Sequence, residues 1–353
     1  MIGNNVCYTT RIDPSHPEQP AEADPTHVSP TEAVFWSAEH RKGLVPTLLE
    51  DLMNQRDEHK AQIKLARKNE QAEKEEFHDS MQYAVKIMMN SFYGVFASGF
   101  YRFTHKDLGS SITAWARQNI KTIIQKLEDE GHHVVYSDTD SIFVCSPVPE
   151  GSPSVLKEDD DEATIAAYED AKQAMIDFGL DIAKQYSRDS AVLEYEKGLS
   201  VFFSHGAKKR YVGQVVYPSE EMLIRGYETQ RTDSFEYLTT SMKKTFTYAL
   251  ADEGEALVQH ARECVASLKN HSVDARRLIL AKSCKGRVQS NGEVDFTKDY
   301  ARPESMAQVR AAMILIDRGR GFTPGMKISY VVTDASKRPM QGHPWIEAEA
   351  AGG

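Results

Sequence analysis

The stretch VVYSDTDSIFV, residues 134–144, sets two carboxylates, Asp138 and Asp140, on either side of Thr139 where one apolar run stops and another begins. Both runs have the alternation and β-branched content of strands, and a tight turn between strands normally asks for Gly or Asn. An aspartate tolerates turn geometry and bonds to nearby backbone, so a hairpin turn accounts for one of them. It leaves the second unexplained and free for chemistry. A second group of reactive side chains lies upstream in KIMMNSFYG, residues 86–94. On a helix Lys86, Asn90 and Tyr93 fall at i, i+4 and i+7, so an ammonium, an amide and a phenol share one face. Met81, Val85, Met88 and Phe92 form an apolar stripe that is expected to pack this helix down. Further upstream, NQRDEHK places Arg56 and Lys60 at i and i+4. Taken alone, such a cationic face is a solvated surface. On an antiparallel helical hairpin, however, Arg56 as a planar fork and Lys60 and Lys86 as point charges could clamp a triphosphate.

These residues need elements to hold them. From Thr47 to about Asn90 the chain has no Pro or Gly and a composition that predicts two long helices joined near Asn69 to Phe77. SITAWARQNIKTIIQKLEDEG reads as an amphipathic helix ended by Gly131, followed by the strand pair around Asp138. Residues 13–30 carry five prolines and are expected to be an exposed loop, with regular structure starting after them. Residues 150–170 hold eight acidic residues against Lys157 alone and read as a solvated linker or insertion. A helix over AYEDAKQAMIDFGLDIAKQYS leads to strands at AVLEYEKGLSVFFS and RYVGQVVY. From about Thr240 the chain reads as mainly helical until GRGFTPGMKISYVV.

A chain of 353 residues with 41% hydrophobic residues can build two or three cores. No run of about 18 apolar residues and no apolar segment behind a basic start exists, which argues against a membrane span or secretory signal and for a cytoplasmic protein. The four cysteines, Cys7, Cys145, Cys264 and Cys284, are widely spaced and read as reduced thiols. A net charge of −10 argues weakly against nucleic-acid binding, but the acidic stretch near 150–170 supplies much of it, and placement matters more than the sum.

KIMMNSFYG resembles the Lys-x-x-x-Asn-Ser-x-Tyr-Gly motif of family B DNA polymerases, and YSDTDS resembles their Asp-Thr-Asp catalytic motif, in the family's order. NQRDEHK resembles the arginine and lysine of the first fingers helix, TAWAR the segment between the two main motifs, and LEYEKG an acidic strand beside the metals. KKRY, residues 208–211, resembles the motif that grips the primer, IRGYETQRTDS the start of the thumb, and GRGFTPGMKISYVV a late thumb strand. Together they span about Phe35 to Val332. Palm-type RNA polymerases and reverse transcriptases share paired aspartates at a hairpin but match neither KIMMNSFYG nor KKRY.

The resemblance implies an α+β fold: a palm with an antiparallel sheet, helical-hairpin fingers and a mainly helical thumb. It divides the chain into a palm segment with the Pro-rich loop (1–46), fingers (47–95), a catalytic palm with an acidic insertion near 146–170 (96–207) and an incomplete thumb (208–353). It makes Asp138 and Asp140 ligands of two Mg²⁺ ions, with Glu196 an accessory ligand. A calcium loop fits less well, because DTDSIFVCSPVP lacks the Gly and terminal Glu such a loop requires. It also implies that Arg56, Lys60, Lys86 and Asn90 bind the incoming nucleotide and Tyr93 packs under the nascent base pair. Lys208, Lys209, Arg210, Tyr211, Arg225 and Arg231 would contact DNA. The implied partners are primer–template DNA, deoxynucleoside triphosphates and a sliding clamp, with no membrane. The family's first palm motif, Ser-Leu-Tyr-Pro-like with its own metal-binding aspartate, has no match here. The expectation is therefore a polymerase part that works with a companion chain carrying that motif and an exonuclease. The alternative is a non-catalytic module that holds primer–template DNA or a polymerase.

Overall fold

The computed structural model describes residues 1–345 apart from 16–18, 22, 103, 188–190, 232, 335 and 337–340. The chain forms two compact units, Met1–Pro147 with Ala174–Tyr195, and Val148–Gln173 with Glu196–Gly353. Thr232 of IRGYETQRTDS and the tail from residue 346 lie outside the described residues.

In the first unit, β1 (Arg11–Ile12), β2 (Thr26–Val28) and β3 (Val34–Trp36) form an antiparallel sheet in the order β1-β3-β2. Regular structure therefore begins ahead of the proline-rich stretch, and that stretch contains a strand. It can do so because β2 is an edge strand, where prolines next to the ladder leave few bonds unmade. α1 (Leu44–Lys68) and α2 (Ala72–Ala97) then pack against each other as a hairpin. Their junction is only Asn69–Gln71, shorter than the composition predicts, because Glu70 reverses the chain at φ 54° and Phe77 already lies on α2.

At the start of α1 Gly43 and Pro46 are buried while Leu44 is exposed, and the amides that open the helix need partners from outside it. Segment 5–9 provides them. The Gly43 amide donates to Asn5 Oδ1 at 2.8 Å, and the Leu44 and Val45 amides reach Thr9 Oγ1 and Cys7 Sγ, each at 3.4 Å. Asn5, only 1% exposed, also donates through Nδ2 to the carbonyls of Trp36 (2.7 Å) and Arg41 (2.8 Å). A Cβ on Gly43 would meet Cys7 Cβ at 2.7 Å, so this approach admits only glycine.

α3 (Lys106–Asp129) follows, and its N-terminal Asp107 takes hydrogen bonds from Arg11 of β1 at 2.7 Å. α3 ends as the sequence predicts. Gly131 sits at φ 85°, its amide bonds Glu128 O (3.0 Å) and that of His132 bonds Leu127 O (2.8 Å), the paired pattern of a glycine-terminated helix. β4 (Val134–Asp138) and β5 (Ser141–Val144) form the expected hairpin. Val134, Ile142 and Val144 of that hairpin pack with Ile123 and Leu127 of α3 and Ile182 and Tyr186 of α4 (Glu162–Tyr186). A second cluster, Val6, Phe35, Phe96 and Leu108, joins the N-terminal segment and sheet to α2 and α3. The acidic stretch is only partly a linker, since α4 already begins at Glu162.

The second unit contains the first half of α4 and a sheet of β6 (Gly198–Phe203), β7 (Tyr211–Tyr217) and β8 (Glu221–Arg225), antiparallel in that order. Residues 192–197, expected as the start of a strand, are not in the ladder. α5 (Glu236–Leu250) covers this sheet through Phe246 and Leu250 against Val212 and Ile224, and α6 (Gly254–Lys269) packs on α5. The region after Thr240 is less helical than its composition predicts. β9 (Leu280–Ser283) and the short hairpin of β10 (Arg287–Val288) and β11 (Val294–Asp295) precede α7 (Ala307–Asp317). β9 then pairs with β12 (Lys327–Asp334), which also pairs with β13 (Gln341–Pro344). Val309, Ala311 and Ala312 of α7 pack on Ile328 and Tyr330 of β12. The four cysteines are free thiols. Among the described residues no helix is long and apolar enough to cross a membrane.

Asn5→Ala removes three hydrogen bonds at once and leaves buried backbone groups unpaired, each worth about 1–3 kcal/mol. The expected loss is about 3 kcal/mol of stability in the first unit, read by urea unfolding of the variant against the parent chain.

Candidate active site

Asp138 closes β4 and pairs with Ser141 across the hairpin, so the loop is only Thr139 and Asp140. Thr139 adopts φ 58°, and the Asp140 amide donates back to Asp138 O at 2.7 Å. A β-branched residue in the left-handed region is strained, and a bond from residue i+2 to residue i around it makes the tightest class of turn. The effect is to bring two carboxylates to one hairpin tip. Thr139 Oγ1 donates to Asp138 Oδ1 at 3.0 Å and Ser141 Oγ to Asp138 O at 3.0 Å, which fixes the turn from both sides. Asp138 is half-buried and Asp140 exposed. Among the described residues neither makes an ion pair with a lysine or arginine. Two unpaired carboxylates on a rigid turn fit part of the oxygen set of a hard divalent cation, which takes its other ligands from phosphate and water. Glu196 is exposed just ahead of β6 and belongs to the second unit. Among the described residues no group of three or more His, Cys, Asp or Glu side chains is placed to hold a metal ion by itself.

The helical hairpin carries its cations on side chains that the partner helix orients. Arg56 on α1 donates through Nε to Gln82 Oε1 on α2 at 3.3 Å, and Gln82 Nε2 donates to Asp79 Oδ1 at 3.0 Å. Gln82 is one helical turn from Lys86, so Arg56 is drawn to the side of the hairpin that bears Lys86. Lys60, one turn from Arg56, lies 4.0 Å from Asp57. Lys86, Asn90 and Tyr93 are all exposed, Tyr93 by 41%. The stripe expected to pack α2 down does so only in part. Val85 is buried and Phe92 joins the Phe96–Leu108 cluster, while Met81 and Met88 remain exposed, because α1 covers a narrower strip of α2 than the sequence stripe is wide. Closer to the hairpin tip, His59 and His78 face each other with Nδ1 atoms 3.0 Å apart.

In the second unit Lys208 and Lys209 are exposed on the loop between β6 and β7, and Lys209 adopts φ 65°. Tyr211, 8% exposed, backs this loop with its ring 5.8 Å from that of Phe202. Arg210 pairs with Glu228 at 3.1 Å. Arg225, at the end of β8, stands opposite Tyr211 in the ladder. Arg231 is engaged differently. Its guanidinium forks onto both carboxylate oxygens of Asp233, at 2.7 and 2.9 Å, and the hydrogen bonds from Arg231 hold the Asp233 carboxyl below its ordinary value.

The sequence does not reveal Gln82, the His59–His78 pair or the strain at Thr139, since each depends on helix register or backbone angle. A shallow groove of about 610 Å³ was also missed. Arg117, Lys121 and Lys126 of α3 line it along with Gln118, Gln125 and Thr31, with no carboxylate, so it suits a polyanion. The signal for it was the i, i+4 spacing of Arg117 and Lys121 on a helix already identified as amphipathic.

The paired-carboxylate hairpin and the cationic helical hairpin thus lie within one compact unit. The model for DNA polymerase family B matches residues 1–343, and the chain belongs to that family. It is 28% identical over 84% of its length to a DNA polymerase of Thermococcus gorgonarius, of which it covers 34%. It is 27% identical over 96% of its length to the DNA polymerase delta catalytic subunit of Bos taurus, of which it covers 29%. The family B DNA polymerase structure from Pyrobaculum calidifontis superposes with a TM-score of 0.58 at 22% identity, covering 99% of this chain and 40% of that one, and shows the shared fold. The chain thus spans roughly a third of the length of these curated relatives.

Thr139→Asn keeps a residue that tolerates the left-handed region and removes the β-branch. The relief of about 1 kcal/mol of strain is offset by the loss of the Thr139 hydroxyl bond to Asp138, so thermal melts are expected to show stability unchanged within about 1 kcal/mol; a loss well beyond that of a single hydrogen bond would mean that the turn is not strained at this position.

Proposed function

We propose that this chain supplies the catalytic turn, the nucleotide-binding hairpin and the primer-strand loop of a DNA-directed DNA polymerase. The observation that carries this reading is the strained Asp138–Thr139–Asp140 turn, whose two unpaired carboxylates share a compact unit with the Arg56, Lys60 and Lys86 hairpin. In the reaction the primer 3′-oxygen forms a bond to the α-phosphorus of a deoxynucleoside triphosphate, the α–β phosphoanhydride bond breaks, pyrophosphate leaves, and the 3′-hydroxyl proton passes to solvent. Asp138 and Asp140 would hold Mg²⁺, and the two ions of the proposed reaction would supply Lewis-acid stabilisation of the attacking and leaving oxygens.

Every other contribution comes from positioned side chains. Arg56, oriented by Gln82, and Lys60 and Lys86 neutralise the triphosphate, and Asn90 hydrogen-bonds to it. Tyr93 presents its exposed ring to the nascent base pair. Lys208, Lys209, Arg210 and Arg225 contact primer phosphates, and Tyr211 supports their loop from beneath. Arg231 can reach a phosphate only by releasing Asp233. Domain roles follow the same assignment: fingers at 47–95, catalytic palm at 96–207 and thumb at 208–353, with 1–46 a further palm segment. The proposed setting is cytoplasmic, with primer–template DNA as the partner and a sliding clamp on the DNA.

Asp140→Asn removes a metal ligand and not a DNA contact. It is expected to abolish nucleotide addition, measured by primer extension in Mg²⁺ with the polymerase that contains this chain, while primer–template affinity is kept; extension at the parent rate would sink the assignment. Lys86→Ala is expected to lower incorporation efficiency about tenfold or more, since a charge-assisted contact to phosphate is worth at least about 1.5 kcal/mol. If that variant instead lost DNA affinity and kept its nucleotide kinetics, the hairpin would have been given the wrong role.

A further inference from the structure

The loop that carries Lys208, Lys209 and Arg210 is too exposed to be held by its own packing, yet it contains a backbone conformation that a lysine does not adopt unaided. Lys209 sits at φ 65°, within a turn closed by the Arg210 amide on Ala207 O at 3.2 Å. What faces it is the end of β8. Gly226, itself at φ 71°, approaches so closely that a Cβ there would lie 1.9 Å from Lys209 O and 2.8 Å from Lys209 C. These are backbone atoms and cannot swing aside, so the contact admits glycine alone. The next residues continue the same grip. The Arg210 guanidinium lies 5.9 Å from the centre of the Tyr227 ring and pairs with Glu228 at 3.1 Å, and the Tyr227 hydroxyl meets His205 Nδ1 at 3.2 Å. Tyr227 is buried against Val212, Ile224 and Phe246, which ties the grip to the core of the unit.

We propose that Gly226 and Glu228 are positioning residues for primer-strand recognition: Gly226 sets the backbone of Lys209, and Glu228 with Tyr227 sets the Arg210 side chain. This rests on the reading of Lys209 as a phosphate contact, and the two claims separate experimentally. Segments 208–211 and 225–228 then act as one device, although thirteen residues lie between them. A duplex phosphate meets a lysine whose position is fixed before binding, which lowers the ordering cost of the contact. Gly206 in the same loop is a useful contrast, since it has φ 84° with open space around it, and there a side chain adds strain without moving Lys209.

The test is binding of a fluorescein-labelled primer–template duplex to the full chain, with the affinity followed between about 50 and 200 mM salt, where each phosphate contact contributes about 0.9 to the logarithmic slope. Lys209→Ala is expected to weaken binding about tenfold and lower the slope by about one. Gly226→Ala should reproduce both effects, and the double variant should add nothing, because both changes remove the same contact. Gly206→Ala should leave the slope unchanged. Glu228→Gln supplies an independent sign. Removing a negative charge near DNA tightens binding if Glu228 acts only through its charge, whereas a positioning role predicts binding weakened two- to threefold. This variant also decides the matter if Gly226→Ala does not fold. A normal slope in folded Gly226→Ala beside a reduced one in Lys209→Ala, or tighter binding by Glu228→Gln, overturns the positioning role. An unchanged slope in Lys209→Ala overturns the primer-strand reading as well.

Discussion

The helical hairpin that carries Arg56, Lys60 and Lys86 depends on one buried amide. α1 is 25 residues long and mostly exposed, and a helix of that kind has no reason to leave the protein at a fixed angle unless its base is held. Asn5 holds it. With one side chain it satisfies the Gly43 amide and the carbonyls of Trp36 and Arg41, so the N-terminal segment, the small sheet and the first turn of α1 are tied to a single point. Because the bonds to Trp36 O and Gly43 N are buried and that to Arg41 O is partly so, they have to be made inside the protein, and the arrangement has little freedom to drift. Arg56 and Lys60 lie about four helical turns further along, where an angular error at the base would be multiplied into a displacement of the cations.

A second theme is backbone strain at the places where charge is presented. Thr139 between the two carboxylates and Lys209 in the loop between β6 and β7 both adopt left-handed angles that their side chains disfavour. Left-handed residues also occur at Glu70 and Asp252, where they simply follow helix ends, so the angle alone marks no function. What distinguishes Thr139 and Lys209 is that other groups enforce the angle: the Asp138–Ser141 ladder pair in one case, the close approach of Gly226 in the other. Strain that the surroundings over-determine is the kind that functional sites use to fix a side chain before its ligand arrives.

Much of this was legible in the sequence, and the reasons are physical. The two helices, the Gly131 stop and the β4–β5 hairpin follow from local periodicity and turn chemistry, which a single chain states directly. Asp138, Asp140, Lys86 and Lys209 could be singled out because motifs keep chemically demanding residues at fixed spacing. Sequence failed where the deciding partner was distant or angular. β2 formed in a proline-rich stretch because it needed only one neighbour, β3. β9, β10 and β11 were hidden by a composition that also suits helix, whereas β12 lies in GRGFTPGMKISYVV, where a strand was expected. Met81 and Met88 matched a packing stripe, but how much of that stripe α1 covers is set by tertiary geometry. Neither the capping of α1 by segment 5–9 nor the Gly226–Lys209 contact has any local signal, since both join residues far apart in the chain.

The central claim is that the Asp138–Thr139–Asp140 turn holds the catalytic cations. The most direct measurement is iron-mediated cleavage: Fe²⁺ substituted for Mg²⁺, with ascorbate and peroxide, generates hydroxyl radicals that cut the backbone next to the bound ion. With primer–template and a deoxynucleoside triphosphate present, the account predicts cutting centred on residues 137–141, suppressed by excess Mg²⁺ and lost in Asp140→Asn. Cutting confined to other parts of the chain, or cutting at the turn that persists unchanged in Asp140→Asn, would contradict it.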